Sequence, residues 1–293
     1  MNDAAAASRF EDRYFTVRDG LKLHYRDYAG SADKLPILCL PGLTRNAKDF
    51  ADLAERYSPR FRVIAPDFRG RGMSEYDPVP GRYLPPTYTH DVIELMDQLA
   101  IDQAIFVGTS LGGLVTMLMA VMAPQRVAAA ILNDIGPEID NAGVDRIKTY
   151  VGKAVRFNSW DEAAETVAAN NRHAFEGYGH DDWLRMAQRN CREENGEIVF
   201  DYDQAIAQPF KSDAPAPEFN MWPLFAALAQ KPLLVIRGAK SDLLSAEALQ
   251  KMHAAAPNMK SAVVPGVGHA PDLSEPEAVA AIDAFLDELE PSL

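Results

Sequence analysis

Short apolar runs recur along the chain with little alternation between apolar and polar positions, and each is bounded by Gly, Pro or Asp. Runs of this kind are typical of strands that are buried on both faces of a parallel sheet. Between them, apolar residues repeat at helical spacing, as at Val92, Leu95, Met96 and Leu99. Alternating strands and helices predict an α/β fold. The predicted strands cover residues 37–40, 63–65, 105–107, 128–132, 233–236 and 262–264.

Two stretches lack this alternation of buried strands and helices. Residues 15–28 alternate around a turn at Asp19-Gly20, which predicts an antiparallel hairpin before the parallel strands. Residues 137–222 contain no comparable buried-strand run, but have helical segments, a possible short hairpin at Asn195-Gly196 and a proline-rich loop at 215–217. We therefore expect a core made of residues 1–136 and 223–293, with a mainly helical insertion at 137–222.

The composition narrows the class of protein. The 293 residues are 47% hydrophobic and 24% charged, enough apolar surface for a folded core. Lys and Arg number 29 against 42 Asp and Glu, a net charge of −13, and there is no basic cluster. Such a chain repels phosphate backbones and anionic membranes, so neither a nucleic acid nor a membrane is an expected partner. The sequence leaves the oligomeric state open.

The cysteines and the first residues of the chain indicate the cellular compartment in which the protein is expected. Cys39 and Cys191 have no metal-ligand spacing and form no disulfide framework, so both are expected to be free thiols and no metal is expected. The chain starts without the basic and apolar segments of a signal peptide, and its longest apolar stretch is too short to span a bilayer. These features favour a cytoplasmic protein.

A candidate nucleophile lies in the sequence Gly108-Thr109-Ser110-Leu111-Gly112, directly after a predicted buried strand and before a predicted helix. A Gly-x-Ser-x-Gly sequence in this context predicts a sharp turn that exposes the serine hydroxyl, and glycines flank it because a Cβ atom would clash there. The pattern alone occurs by chance in about one chain of this length in ten, but the strand before it and the helix after it favour a catalytic Ser110.

A serine hydroxyl needs a base, and the base needs a carboxylate that orients it. Of the six histidines, only His269 lies in a loop after the last predicted strand, where it can reach the carboxyl edge of the sheet. Asp242, after the preceding strand, is the favoured carboxylate. Asp134, after the strand at 128–132, is the competitor, for which a structural or substrate-facing role is preferred.

Acyl transfer through a serine also needs two N–H donors for the oxyanion. One is expected from Leu111, which follows the nucleophile in the chain. The other is expected from the loop after the strand at 37–40, with Leu43 as the preferred donor, since Pro41 has no N–H group.

With these features the chain resembles the α/β-hydrolase superfamily, in particular its capped bacterial esterases, lactonases and enol-lactonases, from about residue 14 to 289. Residues 67–74 are similar to the family's Asp-x-Arg-Gly-x-Gly-x-Ser turn, which is structural in the family. The resemblance implies a mostly parallel eight-stranded sheet with helices on both faces and a cap inserted after the sixth strand. The chain departs from the family at Pro41, where histidine is usual.

The resemblance also implies that the insertion shapes the substrate pocket. Candidate pocket residues are Arg45, Phe50, Asp134, Trp160 and Trp222. The expected reaction is hydrolysis of a small carboxylic ester or lactone without a cofactor. Carbon–carbon bond hydrolysis, acyl transfer and perhydrolysis use the same triad and stay open, as does a small-molecule receptor with little turnover.

Overall fold

A computed structural model describes residues 9–210 and 220–290 of the chain. Its strands are β1 (Glu11–Thr16), β2 (Lys22–Tyr28), β3 (Ile37–Leu40), β4 (Val63–Pro66), β5 (Ala104–Thr109), β6 (Val127–Asn133), β7 (Arg156–Phe157), β8 (Cys191–Glu194), β9 (Glu197–Phe200), β10 (Leu233–Gly238) and β11 (Lys260–Val264). Its helices are α1 (Ala51–Tyr57), α2 (Pro85–Gln98), α3 (Leu111–Met122), α4 (Asn141–Tyr150), α5 (Trp160–Asn171), α6 (His180–Asn190), α7 (Trp222–Leu228), α8 (Ala246–Ala255) and α9 (Pro276–Leu289). Short 3₁₀ turns cover Ala47–Phe50, Pro80–Arg82, Pro124–Arg126 and Gln204–Phe210.

The main sheet has eight strands in the order β1-β2-β4-β3-β5-β6-β10-β11. The first two strands form the predicted antiparallel hairpin, and β2 also pairs antiparallel with β4. All later pairs are parallel. The six strands predicted from the apolar runs all lie in this sheet, so the predicted α/β architecture is confirmed.

Helices on both faces explain why the parallel strands do not alternate. In β3, Leu38 and Leu40 pack into the cluster that includes α2, α3 and α7, whereas Ile37 and Cys39 face the cluster that includes α1 and α9. All four are at most 1% exposed. Each such side chain contributes on the order of 1.5–3 kcal/mol through burial, and neither face of the strand can be polar.

The chain between β6 and β10 lacks the core's alternation of buried parallel strands and helices, as expected. It contains α4, α5 and α6, and also a small antiparallel sheet in the order β7-β9-β8. The hairpin predicted at Asn195-Gly196 joins β8 to β9, with φ of +54° and +83° at the two turn residues. The insertion is thus less purely helical than the sequence suggests. The proline-rich loop at 215–217 lies outside the described residues.

The predicted division into a core and an inserted cap remains a prediction. Cys39 and Cys191 are free and buried, as expected. Among residues 9–210 and 220–290, no helix has the length and apolar character needed to cross a membrane. The cytoplasmic location stays a prediction.

Candidate active site

Ser110 occupies the sharp turn between β5 and α3. Its backbone has φ of 51° and ψ of −113°, a conformation that L residues rarely adopt. A Cβ atom on Gly108 would lie 2.6 Å from the carbonyl of Gly112, and one on Gly112 would lie 2.0 Å from the carbonyl oxygen of Leu40. The turn therefore requires both glycines, as the sequence pattern predicts.

His269 lies beyond the end of β11, and its imidazole contacts the serine. The Nε2 atom is 2.9 Å from Ser110 Oγ, and the histidine side chain is 10% exposed. The expected contact between these two residues is present. On the other side of the ring, Nδ1 lies 2.7 Å from Oδ2 of Asp134.

Asp134 therefore occupies the place that was expected for Asp242. Its carboxylate is fully buried and follows β6 with a φ of +57°, a conformation that aspartate tolerates better than most residues. Oδ1 accepts from the N–H of Gly238 at 2.8 Å, and Oδ2 accepts from the Ser241 hydroxyl at 2.6 Å. Since a carboxylate accepts, His269 Nδ1 carries the proton, and the Nε2 lone pair faces Ser110.

The prediction that Asp242 contacts His269 is wrong. The Asp242 carboxylate instead accepts two hydrogen bonds from Arg146 of α4, at 2.5 and 2.9 Å. Burial raises the pKa of Asp242, but the hydrogen bonds and positive charge of Arg146 outweigh this, so its pKa lies below the ordinary value. The turn closed by Ser241 N–H on the Gly238 carbonyl, at 3.0 Å, places the Ser241 hydroxyl, not Asp242, against Asp134.

The structural or substrate-facing role that the sequence favoured for Asp134 does not agree with its contacts either. Its carboxylate has no exposed surface and contacts the imidazole rather than the cavity. Both aspartates follow strands that are neighbours in the sheet and end at the same edge, so their positions along the chain do not distinguish them.

Asn133 was not identified from the sequence, yet it joins three loops of the site. Its backbone carbonyl accepts from Ser110 N–H at 3.0 Å. Its Nδ2 donates to the carbonyl of Pro271 at 2.8 Å and to Thr109 Oγ1 at 3.1 Å. The Pro271 contact holds the loop that carries His269. The available signal was its position beside Asp134 at the end of a buried strand.

A cavity of about 140 Å³ opens beside Ser110 and His269. The core contributes Leu43, Arg45 and Phe50 to its wall, and the insertion contributes residues such as Tyr150 and Tyr202. The predicted pocket positions of Arg45 and Phe50 thus agree with the structure. Arg45 is fixed by two hydrogen bonds to Asp49, at 2.5 and 2.7 Å.

The two tryptophans predicted for the pocket do not line this cavity. Trp160 begins α5 and packs against the apolar cluster on the α1 and α9 side of the sheet. Trp222 begins α7, packs edge-to-face on Phe225 and donates from Nε1 to Glu138 at 3.2 Å. Both are packing residues, because the helices that carry them present them to apolar neighbours.

The two expected oxyanion donors flank Ser110. Leu111 is the first residue of α3, directly after Ser110, where helix N–H groups have no partner within the helix. Leu43 lies in a turn closed by a 3.2 Å hydrogen bond from Arg45 N–H to the Gly42 carbonyl. A Cβ atom built on Gly42 would lie 3.8 Å from Ser110 Cβ, so this turn packs against the nucleophile. Their role as donors stays a prediction.

Fold and site together are typical of an α/β hydrolase, and comparisons with known proteins agree. The model of the alpha/beta hydrolase family matches residues 37–282, and the chain belongs to that family. It is similar to the 3-hydroxybutyrate-oligomer hydrolase of Cupriavidus necator, with 33% identity over 90% of this chain and 92% of that protein. It also resembles the 2-(acetamidomethylene)succinate hydrolase of Mesorhizobium japonicum, with 30% identity over 86% of this chain and 87% of that protein.

A solved structure is more similar still. The crystal structure of an alpha/beta hydrolase from Novosphingobium aromaticivorans has 47% sequence identity and a TM-score of 0.91, and the match covers 95% of this chain and 98% of that one. The resemblance inferred from the sequence motifs is therefore confirmed at the level of family and fold.

Proposed function

We propose that this protein is a serine hydrolase that cleaves a carboxylic ester or a lactone through an acyl-enzyme intermediate. The observation that carries the proposal is the continuous hydrogen-bonded chain from Ser110 Oγ through His269 to Asp134, with distances of 2.9 and 2.7 Å. This is the geometry in which an imidazole removes the proton of a serine hydroxyl while a carboxylate stabilises the resulting imidazolium.

In the first half-reaction, Ser110 Oγ attacks the carbonyl carbon and His269 Nε2 takes its proton. The tetrahedral oxyanion is stabilised by the N–H groups of Leu111 and Leu43. His269 then gives its proton to the leaving alcohol as the carbon–oxygen bond breaks, and the acyl group stays on Ser110. Water, activated by the same histidine, releases the acid and restores the serine.

The substrate is expected to be small, because the cavity beside Ser110 is only about 140 Å³. The name of the Cupriavidus necator relative indicates that it acts on oligomers of 3-hydroxybutyrate, which are joined by ester bonds. Short 3-hydroxybutyrate oligomers therefore belong among the first substrates to test on this protein.

The decisive experiment compares the wild type with Ser110→Ala on p-nitrophenyl esters from acetate to octanoate, on simple lactones and on the 3-hydroxybutyrate dimer. We expect multiple turnovers in the wild type, with kcat falling to the background rate in Ser110→Ala. A matched control is Ser261→Ala, which removes an exposed hydroxyl on β11 that contacts His253, and it should retain full activity.

A second readout tests the covalent step. A fluorophosphonate should label the wild type once, at Ser110, as detected by peptide mass spectrometry. Equal ester hydrolysis by the wild type and Ser110→Ala would exclude the proposal. Labelling of Ser110 without turnover on any ester or lactone would instead favour the carbon–carbon hydrolase, and tight ligand binding with at most one turnover would favour the receptor.

A further inference from the structure

Two buried arginines lie in the turn at residues 67–74 and have opposite surroundings. Arg69 is paired with three carboxylates, those of Asp91, Asp77 and Asp19, at 2.5 to 2.8 Å. Arg71 is 0% exposed, yet within the described ranges no carboxylate lies within 4 Å of it, and its buried Nη2 has no hydrogen-bond partner. A buried guanidinium without a counter-charge is costly, and an orphaned buried donor requires an explanation.

The contacts of Arg71 are all with neutral groups. Nη1 donates to the Arg69 carbonyl at 2.7 Å and to the Tyr88 hydroxyl at 3.0 Å. The guanidinium also lies over the rings of Tyr88 and Tyr83, with centroid distances of 4.9 and 5.6 Å. Such contacts keep the cation in place but do not neutralise it.

The remaining contact joins Arg71 to the candidate oxyanion loop. Its Nε donates to the carbonyl of Leu43 at 2.9 Å. The preceding peptide is fixed by the 3.2 Å hydrogen bond from Arg45 N–H to the Gly42 carbonyl. Because peptide groups are planar, the Arg45 bond fixes the peptide that contains the Leu43 N–H, and the Arg71 bond fixes the next peptide. Arg71 therefore restrains the direction of the Leu43 N–H from the other side of the Leu43 Cα.

The inserted segment covers the turn that carries Arg71. Arg71 forms a β-bridge with Tyr202, the N–H of Gly72 donates to Asp201, and the N–H of Asp203 donates to Gly70. Tyr202 also lines the cavity beside Ser110. A hydrogen bond from a charged donor is stronger than one from a neutral donor, so it can hold a loop more rigidly.

We propose that Arg71 is a positioning residue for the reaction: it holds the Leu43 carbonyl so that the Leu43 N–H stays aimed at the developing oxyanion. This inference rests on the proposed serine hydrolase function. It assigns a catalytic consequence to a residue of a turn whose role was expected to be structural.

The first test is Arg71→Met, which removes the Nε donor and keeps an apolar stem. A displaced donor at the reacting centre costs about 10- to 100-fold. We expect that loss in kcat with KM unchanged within about twofold, and a parallel loss in affinity for a trifluoromethyl ketone that mimics the tetrahedral intermediate. Arg126→Met is the matched control, since Arg126 holds the Ile101 carbonyl at 2.6 Å near the opposite end of the fold, and it should change thermal stability without changing kcat.

The second test is a double-mutant cycle with Leu43→Pro. Leu43 is the second residue of its turn, where proline is favoured, so this variant deletes the N–H and retains the turn. Loss of an oxyanion donor costs about 10²- to 10³-fold in kcat. If Arg71 acts through that N–H, Arg71→Met has no further effect on kcat in the Leu43→Pro background. Leu43→Ala, which keeps the N–H, reports the effect of the side chain alone.

The outcomes separate the two proposals. If Ser110→Ala abolishes turnover but Arg71→Met leaves kcat and inhibitor affinity intact, the positioning role is wrong and the serine hydrolase stands. Additive losses in the cycle would also contradict it. If Arg71→Met does not fold, Arg71→Lys replaces it in both tests, since lysine keeps the charge but lacks the Nε donor. Its loss in kcat must again vanish in the Leu43→Pro background.

Discussion

The loops after β6 and β10 each carry an aspartate at the carboxyl edge of the sheet, but the two carboxylates do different things. Asp134 is fully buried and contacts His269, whereas Asp242 is 26% exposed and contacts Arg146 of the insertion. Both loops use side-chain hydrogen bonds, and both lie near the imidazole. The position of a carboxylate along the chain therefore does not reveal its partner, because the backbone conformation of its loop decides where the side chain points.

The largest effect expected from this comparison is at Asp134. Asp134→Asn presents an amide to His269 Nδ1 and favours the wrong tautomer, so we expect kcat to fall by about 10⁴-fold. Asp242→Asn is the matched variant and should keep kcat within a few-fold. Steady-state kinetics on the best ester decides between them, and a larger loss in Asp242→Asn would reverse the assignment.

Ser241→Ala should have the next largest effect. Its hydroxyl donates to the same Asp134 oxygen that accepts from His269, at 2.6 Å, and a hydrogen bond to a charged group contributes about 1.5–3 kcal/mol. We expect at least about a 10-fold loss in kcat, with little change in KM. Ser245→Ala is the control, because it removes the cap of α8 at a cost of about 1 kcal/mol in stability and should not alter kcat.

A smaller effect is expected where Asp242 joins the insertion to the core. Arg146→Gln removes a pair whose side chains are 17% and 26% exposed, and we expect a loss of about 1 kcal/mol in the free energy of unfolding. Limited proteolysis should then cleave the insertion faster than in the wild type. Lys148→Gln, which breaks an exposed pair with Asp145 on the same helix, should leave both measurements unchanged.

The smallest effect is the pH dependence of that pair. Because Arg146 lowers the pKa of Asp242, the stabilisation is complete above the unfolded pKa of about 3.9 and is lost as the pH falls through the folded value. The stability difference between the wild type and Asp242→Asn should therefore be constant from pH 6 to 5 and shrink below about pH 4. A difference that grows on acidification, measured by urea unfolding, would show that burial outweighs Arg146 and raises the pKa of Asp242 in the folded protein.

The sequence predicted most of what depends on local pattern. The buried runs identified strands such as β5 and β10, since a strand covered on both faces carries mostly apolar residues. The glycines around Ser110 identified the sharp turn between β5 and α3, because the clash of a Cβ atom there is a local property of the backbone. His269 was found by its place after the last strand, and its contact with Ser110 is present in the structure.

What the sequence could not decide depends on contacts between distant segments. Asp134 and His269 are separated by 135 positions, and Asp242 accepts its hydrogen bonds from Arg146, 96 positions away. Trp160 and Trp222 are of a residue type that often lines pockets, but the packing of α5 and α7 places both outside the cavity beside Ser110.

By itself, then, the sequence determined the fold class and identified Ser110 and His269 as two residues of one candidate site, because strand burial, turn sterics and chain order depend on neighbouring residues. Only the tertiary structure decided which carboxylate contacts His269 and which arginine donates to the Leu43 carbonyl. The physical reason is that a hydrogen bond depends on the distance between its donor and acceptor and on their directions. Both are set by how the sheet, the turn at 67–74 and the insertion pack together.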